Sequence, residues 1–367
     1  MTDFTEQLHN NYVIQNRITV TVVIPVYNVS PYVERCIQSV INQTYPAMEC
    51  IIVDDFSTDD SIARCQRLLD NYKGDTQFVI FHHSKNRGLS AARNTGTDAA
   101  SSDYIYYLDS DDEITPDCLE KLVNPILHDD SIEMVMGDNS SDYSMMPGAK
   151  NRVKQWLGSL HDNQGFFSES DKLVLKNNDE ISKWFYGTKQ TRPFYVWNKL
   201  IKLSFIKKHQ LYNKEGLLWE DMLWTFYTIR CLHRVAVVSD KTYTQHFRPE
   251  SIQTRVKYGE MLIHYGYTFR VIAEHFVRGE RMEETLYWFR LFCSHYVNAH
   301  KNPDYKYAFN AFMMQFSDGK HKREVQRLKI LRFVAKHRGG RILYNGAKRT
   351  TRIVKKFIRL ESEGRKD

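Results

Sequence analysis

The sequence predicts an α/β protein with a mostly parallel sheet flanked by helices, followed by an α-helical C-terminal region. Apolar, β-branched runs alternate with amphipathic helical patterns as far as about residue 137, which is typical of a doubly wound sheet. After Thr254 the pattern changes to long helices rich in Tyr, Phe and Arg. We therefore predict an N-terminal extension over residues 1–17, a sheet-forming domain over 18–254 and a helical region over 255–367.

The first two strands are marked by continuous apolar runs. Residues 18–24 are mostly β-branched and end at Pro25, which suits a fully buried parallel strand. Ser30-Pro31 then provides the start of a helix, since Ser is a common N-cap and Pro is common in the first turn. A second strand over 48–53 ends in the pair Asp54-Asp55. The strand–helix–strand order is typical of a parallel sheet.

The next strands continue this order. A third strand is predicted over 77–82, and a helix of small residues begins near Leu89. A fourth strand over 104–108 runs directly into a group of carboxylates, and a short fifth strand is predicted over 132–136. Binding sites of such sheets lie at the carboxyl ends of the strands, so these carboxylates are expected where a ligand would lie.

Beyond this region the pattern is less regular. Residues 139–187 predict a long irregular excursion with one or two helices near its end. A strand or bend is expected within 193–201, followed by a helix that carries the pair Glu220-Asp221 in its first turn, where acids suit the helix dipole. Two further strands are predicted over 235–238 and 242–247.

The carboxylates after the fourth strand predict a metal site. Asp109, Asp111 and Asp112 lie within four positions, so they repel each other unless a cation neutralises them. Carboxylate oxygens are the ligands that Mg²⁺ prefers, and they also suit Mn²⁺. The alternative is a solvated turn before a helix that begins near Thr115-Pro116, because Asp and Ser are common in both positions.

The amino-acid composition limits which classes of protein this chain can belong to. Hydrophobic residues make up 42% and charged residues 26% of the chain, as in ordinary folded proteins. Residues 1–15 lack the apolar core of a signal peptide, and no long apolar run suggests a membrane span, so we expect a cytoplasmic protein. The six cysteines have no Cys-x-x-Cys spacing, which argues against a zinc site or a disulfide framework.

Five short motifs together carry a family resemblance. In order and spacing they resemble the GT-A-fold family 2 glycosyltransferases of bacteria, over about residues 18–250. The motifs are Ile24 to Asn28, Val53 to Asp59, Asn86 to Gly96, Leu108 to Asp112 and Trp219 to Asp221. One position departs from the family pattern, because Phe56 stands where the family usually has Gly.

The resemblance implies an inverting enzyme that uses a nucleotide-sugar donor. We expect transfer from a donor, with UDP as the expected nucleotide, to a hydroxyl of a glycan or lipid-linked acceptor in cell-surface polysaccharide biosynthesis. Mg²⁺ or Mn²⁺ would be held by Asp109 and Asp111, with Asp111 as direct ligand, and would act as Lewis acid on the departing diphosphate. The residues expected to bind the donor are Pro25, Tyr27, Asn28, Asp54, Asp55, Ser57, Gly88, Arg93, Asn94, Asp109 and Ser110.

The types and positions of these residues also suggest how each could bind the donor, independently of the resemblance. Pro25, Tyr27 and Asn28 follow the first strand, where a ring and backbone could frame a nucleoside, and Asp54-Asp55 could bind a base or ribose. Arg93-Asn94 could reach the nucleotide or its phosphates. The alternatives are a plain turn, a helix cap and an ion-paired surface arginine. His246, Arg248 and Ser251 follow a late strand and are weaker candidates for contact with the diphosphate or a sugar.

Asp221 is the expected general base by the same resemblance. It would accept the proton of the acceptor hydroxyl as the new glycosidic bond forms. Apolar neighbours such as Trp219, Met222 and Trp224 would raise its pKa above the usual value of about 4. One base without a second carboxylate nucleophile predicts single displacement with inversion. The alternative is an ordinary acidic first turn of a helix.

Three other functional classes fit the sequence less well. A nucleotidyltransferase should have a Gly-rich loop bearing Arg or Lys after the first strand to bind a triphosphate, and residues 24–30 contain no glycine and no cation. A non-catalytic nucleotide-sugar binding protein would be indicated by loss of the acids, and all of them are present. A dehydrogenase is disfavoured because no Gly-x-Gly-x-x-Gly motif follows the first strand.

The C-terminal segment is strongly basic. Residues 318–367 contain 17 Lys and Arg against 5 Asp and Glu, within a whole-chain net charge of +7. Residues 321–336 and 350–360 resemble basic amphipathic helices, which bind anionic bilayer surfaces. The protein would then be peripheral on the inner face of the cell membrane. The alternative is that these helices pack on the protein or on another copy, and nucleic acid is disfavoured because no known binding module accompanies the charge.

Overall fold

The computed structural model describes residues 18–145, 167, 173–187, 194–249, 251–276, 281–316 and 321–336. The chain divides into two compact units, one ending at Val256 and the other beginning at Lys257. The predicted N-terminal extension and the second basic stretch, over 350–360, lie outside the described residues.

The first unit contains nine strands and eight helices among its described residues. The strands are β1 Val20–Val26, β2 Glu49–Asp54, β3 Gln77–His82, β4 Tyr104–Tyr107, β5 Glu113–Ile114, β6 Met134–Asp142, β7 Leu173–Leu175, β8 Lys199–Lys202 and β9 Val235–His246. The helices are α1 Val33–Ile41, α2 Ser61–Leu69, α3 Leu89–Ala99, α4 Cys118–His128, α5 Asn178–Tyr186, α6 Leu203–His209, α7 Glu220–Cys231 and α8 Ile252–Arg255.

The nine strands form one sheet in the order β3-β2-β1-β4-β8-β6-β9-β5, with β7 paired to β9. The strands from β3 to β4 are parallel, as their buried β-branched runs predict. β8 enters antiparallel between β4 and β6, so the second half of the sheet is mixed. The predicted α/β fold class is therefore confirmed, with a parallel half that brings several strand ends to one edge.

Two segments differ from the sequence prediction. β6 continues to Asp142 into the region predicted to be irregular, and it pairs along its whole length with β9. The two short strands expected over 235–247 form one strand, Val235–His246, with register shifts opposite residues 137–139. One continuous strand, β9, is therefore observed in place of two strands and a turn. Pairing between β6 and β9 satisfies backbone hydrogen-bonding groups of both strands.

The small residues of α3 have a packing role. A side chain at Gly96 would place its Cβ 2.3 Å from a methyl carbon of Val23. This spacing shows that α3 lies directly against β1, where only glycine fits. The close approach packs the second half of α3 against the middle of β1.

The second unit is helical where it is described. Its helices are α9 Tyr258–Glu274, α10 Met282–Ala299, α11 Pro303–Gln315 and α12 Lys322–Lys336. Aromatic side chains fill its core; Phe292, for example, has its ring centroid 5.1 Å from that of Phe312. Across the described part of the chain, no helix combines the length and the apolar character needed to cross a bilayer.

α12 is the first of the two predicted basic helices. Its apolar side chains Leu328, Leu331 and Ala335 are buried, and α12 contacts α10 and α11. The guanidinium of Arg327 lies 5.9 Å from the ring centroid of Phe289. The apolar stripe of this helix is therefore used in packing within its own unit, while many of its cations remain exposed.

Candidate active site

The site lies where the parallel strands end. β1 pairs with β2 and β4, and Val26 lies opposite Asp54 in the register, so the residues after these strands share one edge. The segment Asp109 to Asp111 begins two residues beyond the end of β4. The structure thus brings together at one edge the predicted groups around Tyr27, Asp54 and Asp109.

The turn after β1 is hydrogen-bonded to the turn after β2. The Asn28 side-chain oxygen accepts a hydrogen bond from the Thr58 backbone N–H at 2.8 Å. The Ser57 backbone N–H donates to the Asp54 carboxylate at 2.8 Å, and the Ser57 hydroxyl accepts from the Asn28 backbone N–H. Pro25 is buried, whereas the Tyr27 side chain is 44% exposed. Tyr27 and Asn28 are therefore the exposed residues of this turn.

Phe56, where the family resemblance leads one to expect Gly, has a backbone conformation that favours glycine. Its φ is +68°, in the left-handed region, and its side chain is 49% exposed. A bulky residue in this region costs about 1 kcal/mol or more. The turn after β2 thus places an exposed aromatic ring beside the strand ends.

Asp55 holds the loop before α3. Its carboxylate accepts hydrogen bonds from the backbone N–H groups of Arg87 and Gly88, at 2.8 and 2.7 Å. The same carboxylate lies 2.7 Å from Nδ1 of His83. Gly88 has φ +88°, which favours glycine. The structure gives Asp55 a positioning role, and contact of Asp55 and Gly88 with the donor stays a prediction.

Arg93 links two carboxylates that are far apart in sequence. Its guanidinium lies 2.6 Å from Asp109 Oδ1 and 2.6 Å from Glu220 Oε1. Burial disfavours the charged guanidinium, but the two carboxylates outweigh burial and raise the pKa of Arg93. Its buried Nε has no hydrogen-bond partner among the described residues. Arg93 thus ties the acids after β4 to the first turn of α7, and its contact with the nucleotide stays a prediction.

Asn94 and its neighbours hold the segment that leads to α7. The Asn94 amide donates to the Asn213 carbonyl at 2.9 Å and accepts from the Asn213 backbone N–H at 2.8 Å. Tyr212 donates to Asp98 at 2.7 Å. These contacts fix α3 to the approach of Glu220 and Asp221, so Asn94 acts as a support here, and its contact with the donor stays a prediction.

The acids after β4 are held by separate partners. Asp109 pairs with Arg93, and Asp111 pairs with Arg248 at 2.6 Å. Asp112 accepts from the Tyr243 hydroxyl at 2.6 Å and the His246 backbone N–H at 2.7 Å. Asp112 is nearly inaccessible, and Ser110 is buried. Asp112 is therefore structural, whereas Asp109 and Asp111 keep one carboxylate oxygen each without a hydrogen bond to the described residues.

Two of these acids, Asp111 and Asp112, have raised pKa values despite the neighbouring arginines. Burial raises the pKa of Asp111, with a further contribution from Asp109, although Arg248 opposes the shift. Burial also raises the pKa of Asp112, and Asp111 and Asp109 add to it. No group of three metal-binding side chains is gathered within the described ranges. Two neighbouring carboxylates with free oxygens fit a hard cation whose other ligands come from phosphate and water.

Asp221 lies in the first turn of α7. Trp219 before the helix has φ +56°, and the Asp221 carboxylate accepts a hydrogen bond from the Met222 backbone N–H at 2.9 Å. Burial raises the pKa of Asp221 to about 7, Glu220 adds to the shift, and Arg93 opposes it. The direction agrees with the expectation from its apolar neighbours. A carboxylate with this pKa is suited to accept a proton near neutral pH.

Several residues of the network were missed or given other roles in the sequence analysis. Glu220 is buried against Arg93, and Arg35 donates to the Asp111 carbonyl at 2.9 Å. His246 was a weak candidate for donor contact, but its ring lies 2.9 Å from both Asp142 and Glu113. The Glu-Asp pair was the only signal for Glu220, since the sequence does not show which cation it meets.

Comparison with known proteins decides the family. Residues 21–173 match the sequence model described as Glycosyl transferase family 2. An uncharacterized glycosyltransferase of Haemophilus influenzae is 40% identical over 204 residues, which span 53% of this chain and 78% of that protein. The chain belongs to glycosyl transferase family 2. The family resemblance predicted from the five motifs is thus confirmed.

Other members and structures extend the comparison. Glycosyltransferase GlyA of Streptococcus pneumoniae is 40% identical over 210 residues, which cover 55% of this family 2 chain but only 27% of GlyA. The crystal structure of S. aureus TarS 1–349 in complex with UDP-GlcNAc has a TM-score of 0.60 at 16% identity, covering 86% of this chain and 90% of that one. The mannosyltransferase PcManGT from Pyrobaculum calidifontis, in complex with GDP-Man and Mn²⁺, has a TM-score of 0.51 at 16% identity and covers 89% and 83%. These structures share the GT-A fold.

Proposed function

We propose that this glycosyltransferase moves a sugar, with inversion, from a UDP-linked donor to a hydroxyl of a glycan or lipid-linked acceptor. The observation that carries the proposal is the Arg93 contact, which joins Asp109 at the strand edge to Glu220 beside Asp221. The acids suited to the donor diphosphate and the base suited to the acceptor therefore lie on one network. The choice of UDP is supported by the TarS complex with UDP-GlcNAc.

Asp109 and Asp111 are the residues that would hold Mg²⁺ or Mn²⁺, each through its free carboxylate oxygen. When bound, the cation supplies Lewis-acid stabilisation of the leaving diphosphate. The pairing of these acids with Arg93 and Arg248 orients both carboxylates. The Mn²⁺ complex of PcManGT supports this proposal.

The proton transfer is assigned to Asp221. Its carboxylate accepts the proton of the acceptor hydroxyl as the oxygen attacks the anomeric carbon. Glu220 is engaged with the Arg93 guanidinium and is therefore not placed to act as a nucleophile. One carboxylate base then supports a single displacement, which inverts the anomeric configuration.

The experiment is a product analysis with a panel of nucleotide sugars and candidate glycan or lipid-linked acceptors. We expect a glycosylated product only with a UDP-linked donor, with anomeric configuration opposite to that of the donor. Mass spectrometry identifies the product, and the anomeric proton coupling in NMR gives its configuration. A retained configuration contradicts the single displacement. Release of pyrophosphate from a nucleoside triphosphate instead would identify a nucleotidyltransferase.

We also propose that the protein works in cell-surface polysaccharide synthesis, in the cytoplasm and at the inner face of the membrane. The support is a set of exposed cations on α12, where Leu328, Leu331 and Ala335 are buried and Ile330 is exposed. The exposed cations are Lys322, Arg323, Arg327, Lys329 and Arg332. Each Lys or Arg near an anionic surface contributes about 1 kcal/mol.

Changing Lys322, Arg323 and Lys329 to Gln should therefore weaken binding to anionic vesicles by about 10-fold or more. Co-sedimentation with vesicles at low and high salt measures the effect, and neutral vesicles are the control. The packed residues Leu328 and Leu331 stay unchanged, so the fold of the helix is preserved. Equal sedimentation of the variant and the unmodified chain would remove the membrane from this proposal.

A further inference from the structure

Phe56 carries an exposed aromatic ring at a strained point of the candidate site. It lies two residues after the end of β2, and its φ of +68° is in the left-handed region. A bulky side chain in this region costs free energy that glycine would not. Because about half of Phe56 stays in water, burial of the ring offsets only part of this cost. Strained residues of this kind are frequent where a protein binds a ligand.

The neighbours of Phe56 hold its backbone on both sides. The Ser57 backbone N–H donates to the Asp54 carboxylate at 2.8 Å. The Asp55 backbone N–H donates to the Val26 carbonyl at 2.8 Å. The fold therefore fixes the backbone that carries the ring, so little further ordering is needed when a ligand binds.

Tyr27 occupies the matching position in the turn after β1. The residue before it, Val26, accepts a backbone hydrogen bond from the residue before Phe56 at 2.8 Å. The residue after it, Asn28, donates its backbone N–H to the hydroxyl of the residue after Phe56 at 3.3 Å. Both aromatic side chains are exposed. The structure thus places two exposed rings on hydrogen-bonded turns at the edge where the parallel strands end.

A flat and largely apolar ligand suits two neighbouring exposed rings. In a nucleotide-sugar donor the nucleobase has this shape, whereas the diphosphate is charged and the sugar carries many hydroxyls. Bases stack on aromatic side chains, and the stacking tolerates different bases because each has a π-face.

The strand order leaves room for the rest of the donor. β1 lies between β2 and β4, so the turn after β2 and the acids after β4 are two strand spacings apart, about 10 Å. A nucleotide can span this separation. A base at the turns of Tyr27 and Phe56 therefore leaves the diphosphate able to reach Asp109 and Asp111.

We propose that the Phe56 ring packs against the nucleobase of the donor, as a second aromatic contact beside Tyr27. This inference rests on the proposed function, because it requires a nucleotide donor at this edge of the sheet. Phe56 makes and breaks no bond, and its ring contributes to affinity through stacking. The contribution is the same for a nucleoside monophosphate and a nucleoside diphosphate, because both carry the same base.

The test is calorimetric titration of the full chain with UMP and with UDP in the presence of Mg²⁺. In Phe56→Gly both affinities should fall by the same factor, about 10-fold. Phe56→Leu keeps an apolar side chain on the same backbone but lacks the flat ring, so both affinities should fall there too. Phe56→Tyr and Phe56→Trp keep a ring and should bind both nucleotides as wild type does.

Stability and backbone effects are measured in parallel. Glycine suits a φ of +68°, so Phe56→Gly should stay folded, with an unfolding temperature close to that of wild type. The matched control is Gln210→Gly, because Gln210 is an exposed residue with φ +52° at the end of α6. It introduces glycine at the same kind of backbone position and should leave both affinities unchanged.

The outcomes separate this inference from the proposed function. Equal affinities in wild type and Phe56→Gly, or wild-type binding by Phe56→Leu, overturn the role of the ring. A loss confined to UDP also overturns it, because the ring would then act at the phosphates. If wild type binds neither UMP nor UDP, the choice of UDP is wrong, and the same comparison is made with GMP and GDP. A wild type that binds none of the four nucleotides overturns both proposals.

Discussion

Asp221→Asn is expected to lower the transfer rate by about 10² to 10⁴ while leaving UDP binding nearly intact. Asparagine keeps the shape and polarity of the side chain and can still accept from the Met222 backbone N–H, but it cannot take a proton from the acceptor. The change thus removes the chemical step and little else. Initial rates with saturating donor and acceptor, together with UDP titration, measure the two effects.

The pH profile gives a second check on this base. Because Asp221 accepts a proton only when ionised and its pKa is raised to about 7, wild-type activity should rise with pH through this value. Asp179→Asn is the matched control, since Asp179 is an exposed acid in the first turn of α5. Wild-type turnover in Asp221→Asn would place the base elsewhere.

Removal of divalent cations is expected to abolish transfer. EDTA should stop the reaction, and Mg²⁺ or Mn²⁺ in excess should restore it, because the carboxylates of Asp109 and Asp111 repel the anionic diphosphate unless a metal cation lies between them. Asp111→Asn should lose most activity and should bind Mn²⁺ with UDP more weakly. Metal binding can be followed by calorimetry without any turnover.

The pKa of Asp111 sets a pH dependence for this binding. Since burial and Asp109 raise that pKa, the carboxylate takes up a proton more readily as pH falls, and metal affinity should weaken in the same direction. Asp117→Asn, at a half-buried acid before α4 that pairs with Lys121, is the control and should bind Mn²⁺ as wild type does. Full activity of wild type in excess EDTA, or of Asp111→Asn, would refute the assignment.

The sequence predicted which residues lie at the strand ends better than it predicted which side chains contact each other. Strand periodicity and the acids at strand ends placed Asp54 and Asp109 at one edge, because parallel strands end together. The partners of Arg93 could not be predicted, since Glu220 lies 127 residues away and local patterns carry no pairing information. β8 has only four residues, and its antiparallel position in the sheet could not be predicted from local sequence patterns for the same reason.

Backbone conformation explains another part of the difference. Asn28, Phe56 and Trp219 all have positive φ, which single-sequence reasoning expects mainly at glycine. For Asn28 the side chain offers a local hydrogen bond to Thr58 that favours the turn. For Phe56 the conformation is imposed by the surrounding turn, whose Asp54 and Ser57 contacts hold the backbone on both sides.

The strand order also constrains how the chain folds as it leaves the ribosome. β1 to β4 can pair once Tyr107 has emerged, but β6 has its place only after β8, residues 199–202, fills the gap between β4 and β6. A nascent chain that ends before Glu220 would leave the Arg93 guanidinium with one of its two carboxylates missing. Closing such long loops is slow, because their entropy must be lost before the distant contacts form. The site is therefore completed only after β9 and Arg248, which pairs with Asp111, have been synthesised.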